Sequence, residues 1–468
     1  MKEKTKIQVL LPDGVGLKNF VFTDFIKIAQ SNNLSLSYWN ATPFDFVNSE
    51  YDVVQLNLSG KPSAKADLYK RARKIIEIKN FIKQTGNSSY DSYLFSPKHK
   101  TFKQKIKRLI ENYFVLRHRN SLDKLRANLI ESEKITQYYS DCLEQLNKSK
   151  PKLLLVTNQR PINAVAPVEA AKELAIPTVS FIFSWDNLPK ATMVIETDYY
   201  LVWSEYMKEQ LLFYYPYILE NQIFITGTPQ FETHFDESIL ETKKTFSKAN
   251  NLNLETEYIC FSGDDVTTSP HDQIYLEDLA KVVKQINREG SYNKKLGIIF
   301  RPCPVDFSDR FNRVLREFQD EITLIRPLWK NYKKNWNSIM PSYEDQVLLA
   351  NTVHHTKLVV NVGSSMVFDY VAHKKPCAYI NYNPQGIKLK KDIYKIYKYI
   401  HFKSMPNKDA VIWLNSKEEL KDKILEGLNN PHKYVHNAKK WFEIINQHQP
   451  QKATERIVGA LKAILYKS

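Results

Sequence analysis

Cysteine is scarce: Cys142, Cys260, Cys303 and Cys377 are the only four in 468 residues. They lie far apart and form no CxxC pair. That excludes a disulfide framework or a zinc ribbon and predicts reduced, structural thiols. Long hydrophobic runs are also missing. No stretch approaches the roughly 20 apolar residues needed to cross a bilayer. The first apolar run, Ile7 to Leu11, is interrupted by Gln8 and is too short for a signal sequence, so a cytoplasmic protein is expected. There is no GxxxxGK followed by Ser or Thr, which argues against a P-loop NTPase. GxGxxG is absent too, which weakens a dinucleotide-dehydrogenase reading. His354 and His355, the one tight histidine pair, diverge if helical and make poor co-ligands. No metal site and no cofactor are expected, and no internal repeat is visible.

What is present suffices for substantial cores. Hydrophobic residues make up 43% and aromatics 12%, which excludes disorder of the whole chain, and the length predicts two domains of similar size. The unusual quantity is charge. Lys and Arg number 67 against 51 Asp and Glu, a net +16, and this points to an anionic partner.

The chain begins with a strand–helix–strand rhythm: apolar runs at Ile7–Leu11, Leu34–Trp39 and Tyr51–Leu56, with helical spacing over Phe20–Ala29. That rhythm predicts a parallel sheet covered by helices. Residues 61–134 change character, with 19 Lys or Arg against 7 Asp or Glu. Within them Phe102, Ile106, Leu109, Ile110, Tyr113 and Phe114 form the stripe of an amphipathic helix whose other side is basic. Two readings stand for the basic helices between Lys98 and Arg126: a solvated face, or an interfacial helix resting on anionic lipid.

Strands resume at Leu153–Val156, Thr178–Phe183, Tyr199–Trp203 and Ile223–Thr226. A polar stretch over residues 232–256 follows, and the rhythm then restarts at Tyr258–Ser262, Leu296–Phe300, Ile322–Ile325, Leu358–Val362 and Cys377–Ile380. The tail from Asn430 to Tyr466 reads as helices. The expected fold is α/β, with two Rossmann-like doubly wound domains facing a cleft. The first is residues 1–235, with a basic helical insertion at about 61–148; the second is residues 257–468. Ligands of such sheets sit beyond the carboxyl ends of the strands, so the loops there carry the chemistry.

The richest loop lies in VVNVGSSMVFDYVAHKKPCAYINY, Val359 to Tyr382. Gly363 permits a tight turn, Ser364 and Ser365 offer hydroxyls at a helix start, and Asp369 follows one turn later, placed to accept from ribose. Each has a plainer reading, an N-cap for either serine and a solvated residue for Asp369. In FSGDDVTT, Gly263 and Asp264 follow a strand, as an ordinary turn or as room for a diphosphate. In IIFRPCP, Arg301 ends a strand, as a phosphate partner or as half of a surface ion pair. In the first domain Asp13 sits in PDGVG, as a turn residue or as a base for an acceptor hydroxyl. Asp186 in SWDNL is the other candidate base and is ranked slightly above Asp13. Trp185 and Asn187 beside it suit a sugar, and Gly227 and Thr228 close the last strand of the domain.

The order of these loops resembles the GT-B glycosyltransferases of bacterial surface-polysaccharide synthesis, and the CDP-glycerol glycerophosphotransferases that share their fold. The resemblance covers most of the chain from about Lys152. It implies a metal-independent transfer of sugar from a nucleotide-sugar donor to a glycan or lipid-linked acceptor. Gly263, Asp264, Arg301, Gly363, Ser364, Ser365 and Asp369 would lie on the donor side. Trp185, Asn187, Gly227 and Thr228 would lie on the acceptor side, with Asp186 or Asp13 as base. A peripheral position on the inner face of a membrane would suit such an acceptor. Polyol-phosphate transferases usually carry a His where this chain has Cys303, which removes their proton donor. A nucleotide-sugar epimerase uses the same fold. The rival from another class is a non-enzymatic protein binding nucleic acid or an anionic surface; no RNA-binding module is recognisable, so no nucleic-acid partner is expected.

Overall fold

The computed structural model describes residues 4–46, 54–57, 61–94, 101–332 and 339–467. The chain divides into two units, Met1–Pro229 with Tyr399–His401 and Ile445–Ser468, and Gln230–Lys398 with Phe402–Ile444. The expected strand at Tyr51–Leu56 lies outside the described residues in its first three positions, as do residues 95–100 of the basic segment.

Unit 1 opens with β1 (Thr5–Leu11), α1 (Val15–Phe20), α2 (Phe25–Ser31), β2 (Leu34–Asn40) and β3 (Val54–Asn57). The helix expected over Phe20–Ala29 is therefore two short helices. The chain breaks at Val21–Asp24, where the Thr23 hydroxyl turns back to donate to the Asn19 carbonyl at 2.9 Å. Then come α3 (Ala64–Thr85), α4 (Phe102–His118), α5 (Leu122–Lys134), α6 (Gln137–Ser149), β4 (Leu153–Val156), α7 (Val165–Glu173), β5 (Thr178–Phe181), β6 (Tyr199–Val202), α8 (Glu205–Tyr214) and β7 (Ile223–Ile225). The seven strands run in the order β3-β2-β1-β4-β5-β6-β7, and every pairing is parallel. Because both faces are covered, β1 and β4 are almost continuously apolar. Beyond Thr5 and Lys6 at the half-buried start of β1, the exception is Gln8, fully buried. Its amide donates to the Ser37 carbonyl at 2.9 Å and its oxygen accepts from the Ser37 hydroxyl at 3.1 Å, so a polar group sits in the core with its partners on the next strand.

The basic insertion is fixed by charge as well as by packing. Arg73 and Glu77, buried one turn apart on α3, pair at 2.7 Å, and Arg73 also reaches Glu196 at 3.2 Å, which Arg126 of α5 grips from the other side. Leu125 of α5 and Val115 of α4 pack on Ala72 and Ile76 of the same helix.

Unit 2 continues with α9 (Lys243–Ala249), β8 (Glu257–Ser262), α10 (Asp272–Glu289), β9 (Leu296–Arg301), α11 (Asn312–Glu317) and β10 (Ile322–Leu324). A small antiparallel pair follows, β11 (Lys330–Asn331) with β12 (Ile339–Met340). The unit ends with α12 (Tyr343–His355), β13 (Thr356–Asn361), α13 (Met366–Ala372), β14 (Cys377–Ile380), β15 (Ile412–Leu414), α14 (Leu420–Asn429) and α15 (Pro431–Ile445). Its six parallel strands run β10-β9-β8-β13-β14-β15. The last helix, α16 (Ala453–Lys467), belongs to unit 1, where Lys462 donates to Asn32 at 3.0 Å. Among the described residues no helix is long and apolar enough to cross a membrane, and no group of three or more His, Cys, Asp or Glu is arranged to hold a metal.

Candidate functional site

Both sheets reverse their winding at one point, between β1 and β4 in unit 1 and between β8 and β13 in unit 2. In open α/β sheets the crevice beyond the carboxyl ends at such a point is where ligands bind. The loops leaving β1 and β4 are therefore the candidate site of unit 1, and those leaving β8 and β13 the candidate site of unit 2.

In unit 1, Asp13 follows β1. Its carboxylate accepts from the Val15 amide at 3.2 Å and from the Asn158 side chain, which follows β4, at 2.6 Å. Burial raises its pKa above the usual carboxylate range, although these bonds and the charges of Arg160 and Lys70 pull the other way. A group of cations stands on the same edge. Lys70 donates to the Arg160 carbonyl at 2.8 Å, and the Arg160 guanidinium lies 5.3 Å from the Phe183 ring centre. Burial and then Arg160 push Lys70 down to about 8, and burial, Arg160, Lys190 and Lys70 do the same to Lys74. Lys70 and Lys74 share one face of α3, four residues apart. The insertion thus delivers cations to the edge where β1, β4 and β5 end. Sequence reasoning passed over Lys70, Lys74, Asn158 and Arg160. The signal for Asn158 and Arg160 is the polar run TNQR directly after an apolar strand; Lys70 and Lys74 carry none.

Asp186, ranked above Asp13 from sequence, is more completely engaged. It accepts from the Ser184 hydroxyl and the Asn187 amide, both at 2.8 Å, and is ion-paired with Lys190. Burial works to raise its pKa, but Lys190 and His401 outweigh it and hold the carboxylate well below its usual range. Trp185 and Asn187, expected to face a sugar, are turned inward. Trp185 packs edge-on against His401 at 4.7 Å, and the Asn187 oxygen accepts from Gln159 at 3.0 Å. Gly227 has φ +76, and a Cβ there would lie 2.9 Å from Arg456 and 3.1 Å from Asn446. Thr228 is buried, and its amide donates to Asn446 at 2.9 Å. This loop is closed by the segment around α16.

In unit 2, the backbone amide of Gly263 after β8 donates to the Arg301 carbonyl at 2.9 Å, and that of Asp264 to Asp272 at 2.6 Å. Burial, then Asp272, drives the Asp264 carboxyl far above its usual range, and burial lifts Asp272 to about 7. The Asp264 Oδ2 is buried with no hydrogen-bond partner among the described residues, which disfavours the ionised form. Arg310 closes the loop, donating to the carbonyls of Asp264 at 2.6 Å and Ser269 at 2.5 Å. Arg301 is not in a surface ion pair. Its Nη2 donates to both oxygens of buried Asp345, at 2.8 and 2.9 Å, while Nη1 has no hydrogen-bond partner among the described residues.

After β13, Gly363 has φ +67, and a Cβ would meet Phe402, Ile396 and Tyr397 at 3.1–3.3 Å, so both conformation and space demand glycine. Asn361 shapes the turn by accepting from the Ser364 amide at 2.9 Å. The Ser364 hydroxyl accepts from the Met366 amide at 3.4 Å, and Ser365 is exposed with no side-chain capping bond. Asp369 is neither solvated nor turned to a ribose. It is buried and bonded to His234 at 2.8 Å, whose other nitrogen meets His373 at 3.1 Å. The structure thus brings Gly263 and Asp264 to one side of the unit 2 switch point and Gly363, Ser364 and Ser365 to the other, and directs Asp369 and Arg301 into internal pairs.

No family model and no curated protein matches the chain. Solved structures do. UDP-GlcNAc 2-epimerase from Neisseria meningitidis, bound to UDP-GlcNAc, aligns over 98% of this chain and 100% of its own, at 12% identity and TM-score 0.55. UDP-GlcNAc 2-epimerase from Methanocaldococcus jannaschii aligns over 98% and 99%, at 15% identity and TM-score 0.52. A glycosyltransferase from Rickettsia africae ESF-5 aligns over 99% and 100%, at 12% identity and TM-score 0.50. At such identities the likeness is one of fold, and the fold it gives this α/β chain is GT-B.

Proposed function

We propose that the chain is a metal-independent glycosyltransferase, taking a nucleotide-sugar donor on unit 2 and a glycan or lipid-linked acceptor on unit 1. The observation that carries this reading is the contrast between the two switch points. One has a glycine–serine turn, suited to a diphosphate, beside the raised acids Asp264 and Asp272 and a carboxylate, Asp265, held by the hydroxyls of Thr267 and Thr268. The other has a raised carboxyl, Asp13, among cations. In the transfer step an acceptor hydroxyl oxygen forms the new bond to the anomeric carbon. The bond from that carbon to the diphosphate oxygen breaks, and the electron pair leaves with the nucleoside diphosphate. Asp13 takes the hydroxyl proton. Its raised pKa makes it the better base of the two carboxylates, since Asp186 is stabilised as the ion by Lys190. Cys303, pushed up to about 12 by burial, stays a neutral thiol and does not replace the histidine of a polyol-phosphate transferase.

Isomerisation of a nucleotide sugar is the second reading, favoured by the fold likeness to the two epimerases. A thermal-shift panel of nucleotide sugars, followed by product analysis with and without acceptor glycans, tests both. Transfer predicts release of nucleoside diphosphate that depends on acceptor. A new nucleotide sugar formed without acceptor would replace transfer by isomerisation, and no stabilisation by any nucleotide would remove both.

A further inference from the structure

α4 has two unlike faces. Toward the protein, Val115 is buried, Phe114 meets Tyr69 with ring centres 4.7 Å apart, and Lys107 donates to Asp67 of α3 at 2.7 Å. On the opposite side Phe102, Ile106, Leu109, Tyr113 and Leu116 recur at alternating spacings of four and three, one continuous stripe along the helix. These side chains stand in solvent: Phe102 is 77% exposed, Leu109 68%, Leu116 66% and Tyr113 54%. The helix needs no partner to hold this geometry. Thr101 and Gln104 form a capping box at its start, and the packed face anchors it on α3.

We propose that this stripe docks the protein on an anionic lipid surface. The rim decides the occupant. Lys105, Arg108, Arg117 and Arg119 are exposed around the stripe, and Glu111 is the one acid in α4. A second copy of this chain would set cation against cation along the seam, with Glu111 the one acid of the helix to relieve it, so the pattern opposes self-pairing. An acidic protein helix would relieve it too, but an apolar stripe running the length of a helix with a lysine- and arginine-rich flank is the pattern of helices lying in a membrane surface. The long stems of Lys105 and Arg117 can follow the apolar side chains down while their charges stay among headgroups. Lys107, by contrast, is occupied with Asp67 and does not belong to the docking face.

The test is flotation of the full chain with phosphatidylcholine vesicles, with and without phosphatidylglycerol, at low and high salt. Binding is expected only to the anionic vesicles and is expected to fall as salt rises. Leu109→Ser with Leu116→Ser, and separately Lys105→Glu with Arg117→Glu, should each reduce the bound fraction at least about tenfold with the melting temperature unchanged, because these side chains are exposed. Leu109→Trp gives an independent reading in an otherwise intact chain, with a blue-shifted emission expected on anionic vesicles. The proposal is overturned if the wild type does not float at low salt or if the leucine variants float equally. It is also overturned if the wild type is a dimer that those variants dissolve, which would make the stripe an interface between copies. RNA binding abolished by the charge variants, without vesicle binding, would assign the rim to nucleic acid instead.

Discussion

The two switch points share a topology and differ in chemistry. At the first, between β1 and β4, the loops carry a raised carboxyl and Arg160, and α3 brings in two lysines held down to about 8. At the second, between β8 and β13, burial raises Asp264 and Asp272, Asp265 is lowered against burial by its bonds to Thr267 and Thr268, and a glycine–serine turn leads into α13. The difference teaches that the sheet sets where a ligand goes, while the loops and one inserted helix set what that ligand can be.

The sharpest way to break the contrast is at Asp13. Asp13→Asn should lower turnover by roughly 10²–10⁴-fold, as loss of a general base does, with donor affinity changed no more than a few-fold. Asp186→Asn should cost less turnover and more stability, since it leaves Lys190 without its carboxylate. Steady-state rates and denaturation midpoints on both variants decide the order, and equal turnover losses would erase the distinction between the two carboxylates.

Next is the turn of unit 2. Placing Glu at both Ser364 and Ser365 should weaken nucleotide binding more than about tenfold by setting carboxylates against phosphates, a loss of over about 1.4 kcal/mol, with the fold retained. Calorimetric titration checks it, and unchanged affinity would move the donor elsewhere. Gly363→Ala should destabilise the folded chain by about 1–3 kcal/mol, read as a lower urea midpoint, because it forces a side chain into a left-handed backbone against Phe402, Ile396 and Tyr397.

The last effect is the pH dependence set by the inward acids. Asp272 lies at about 7 in the folded chain against an ordinary 3.8, and Asp264 is raised as well, so the folded state holds protons that the unfolded chain has released. Their contribution to stability is complete below the unfolded value and fades as pH rises through the folded one. Urea midpoints should therefore fall between about pH 4 and about pH 8, and Asp272→Asn should flatten that slope. A slope unchanged by the substitution would place the titration in other groups.

Much of the fold was legible because parallel strands buried on both faces are short apolar runs, and those of both sheets stand out between polar loops. β15 was not, since Ile412–Leu414 is three residues between short helical turns and carries no periodicity. The site was legible only in part. Loops after β1, β8 and β13 could be read as strand ends followed by turn residues. The orientation of Trp185, Asn187 and Asp369 could not, because it depends on partners far along the chain, His401, Gln159 and His234. Lys70 and Lys74 looked like two more charges in a basic segment. Only the packing of α3, locked by Arg73 and Glu77, turns them toward the strand ends.

The placement of α16 has a consequence for taking the chain apart. Unit 1 is not one continuous piece: its final helix arrives after all of unit 2 has been made, and buries Ile457, Leu461 and Ile464. A fragment ending near residue 229 would lack that helix. A single proteolytic nick in the stretch before α9 would leave the amino-terminal piece still clasping the far end of the chain. During synthesis the first sheet waits for α16 until the whole of unit 2 has been made.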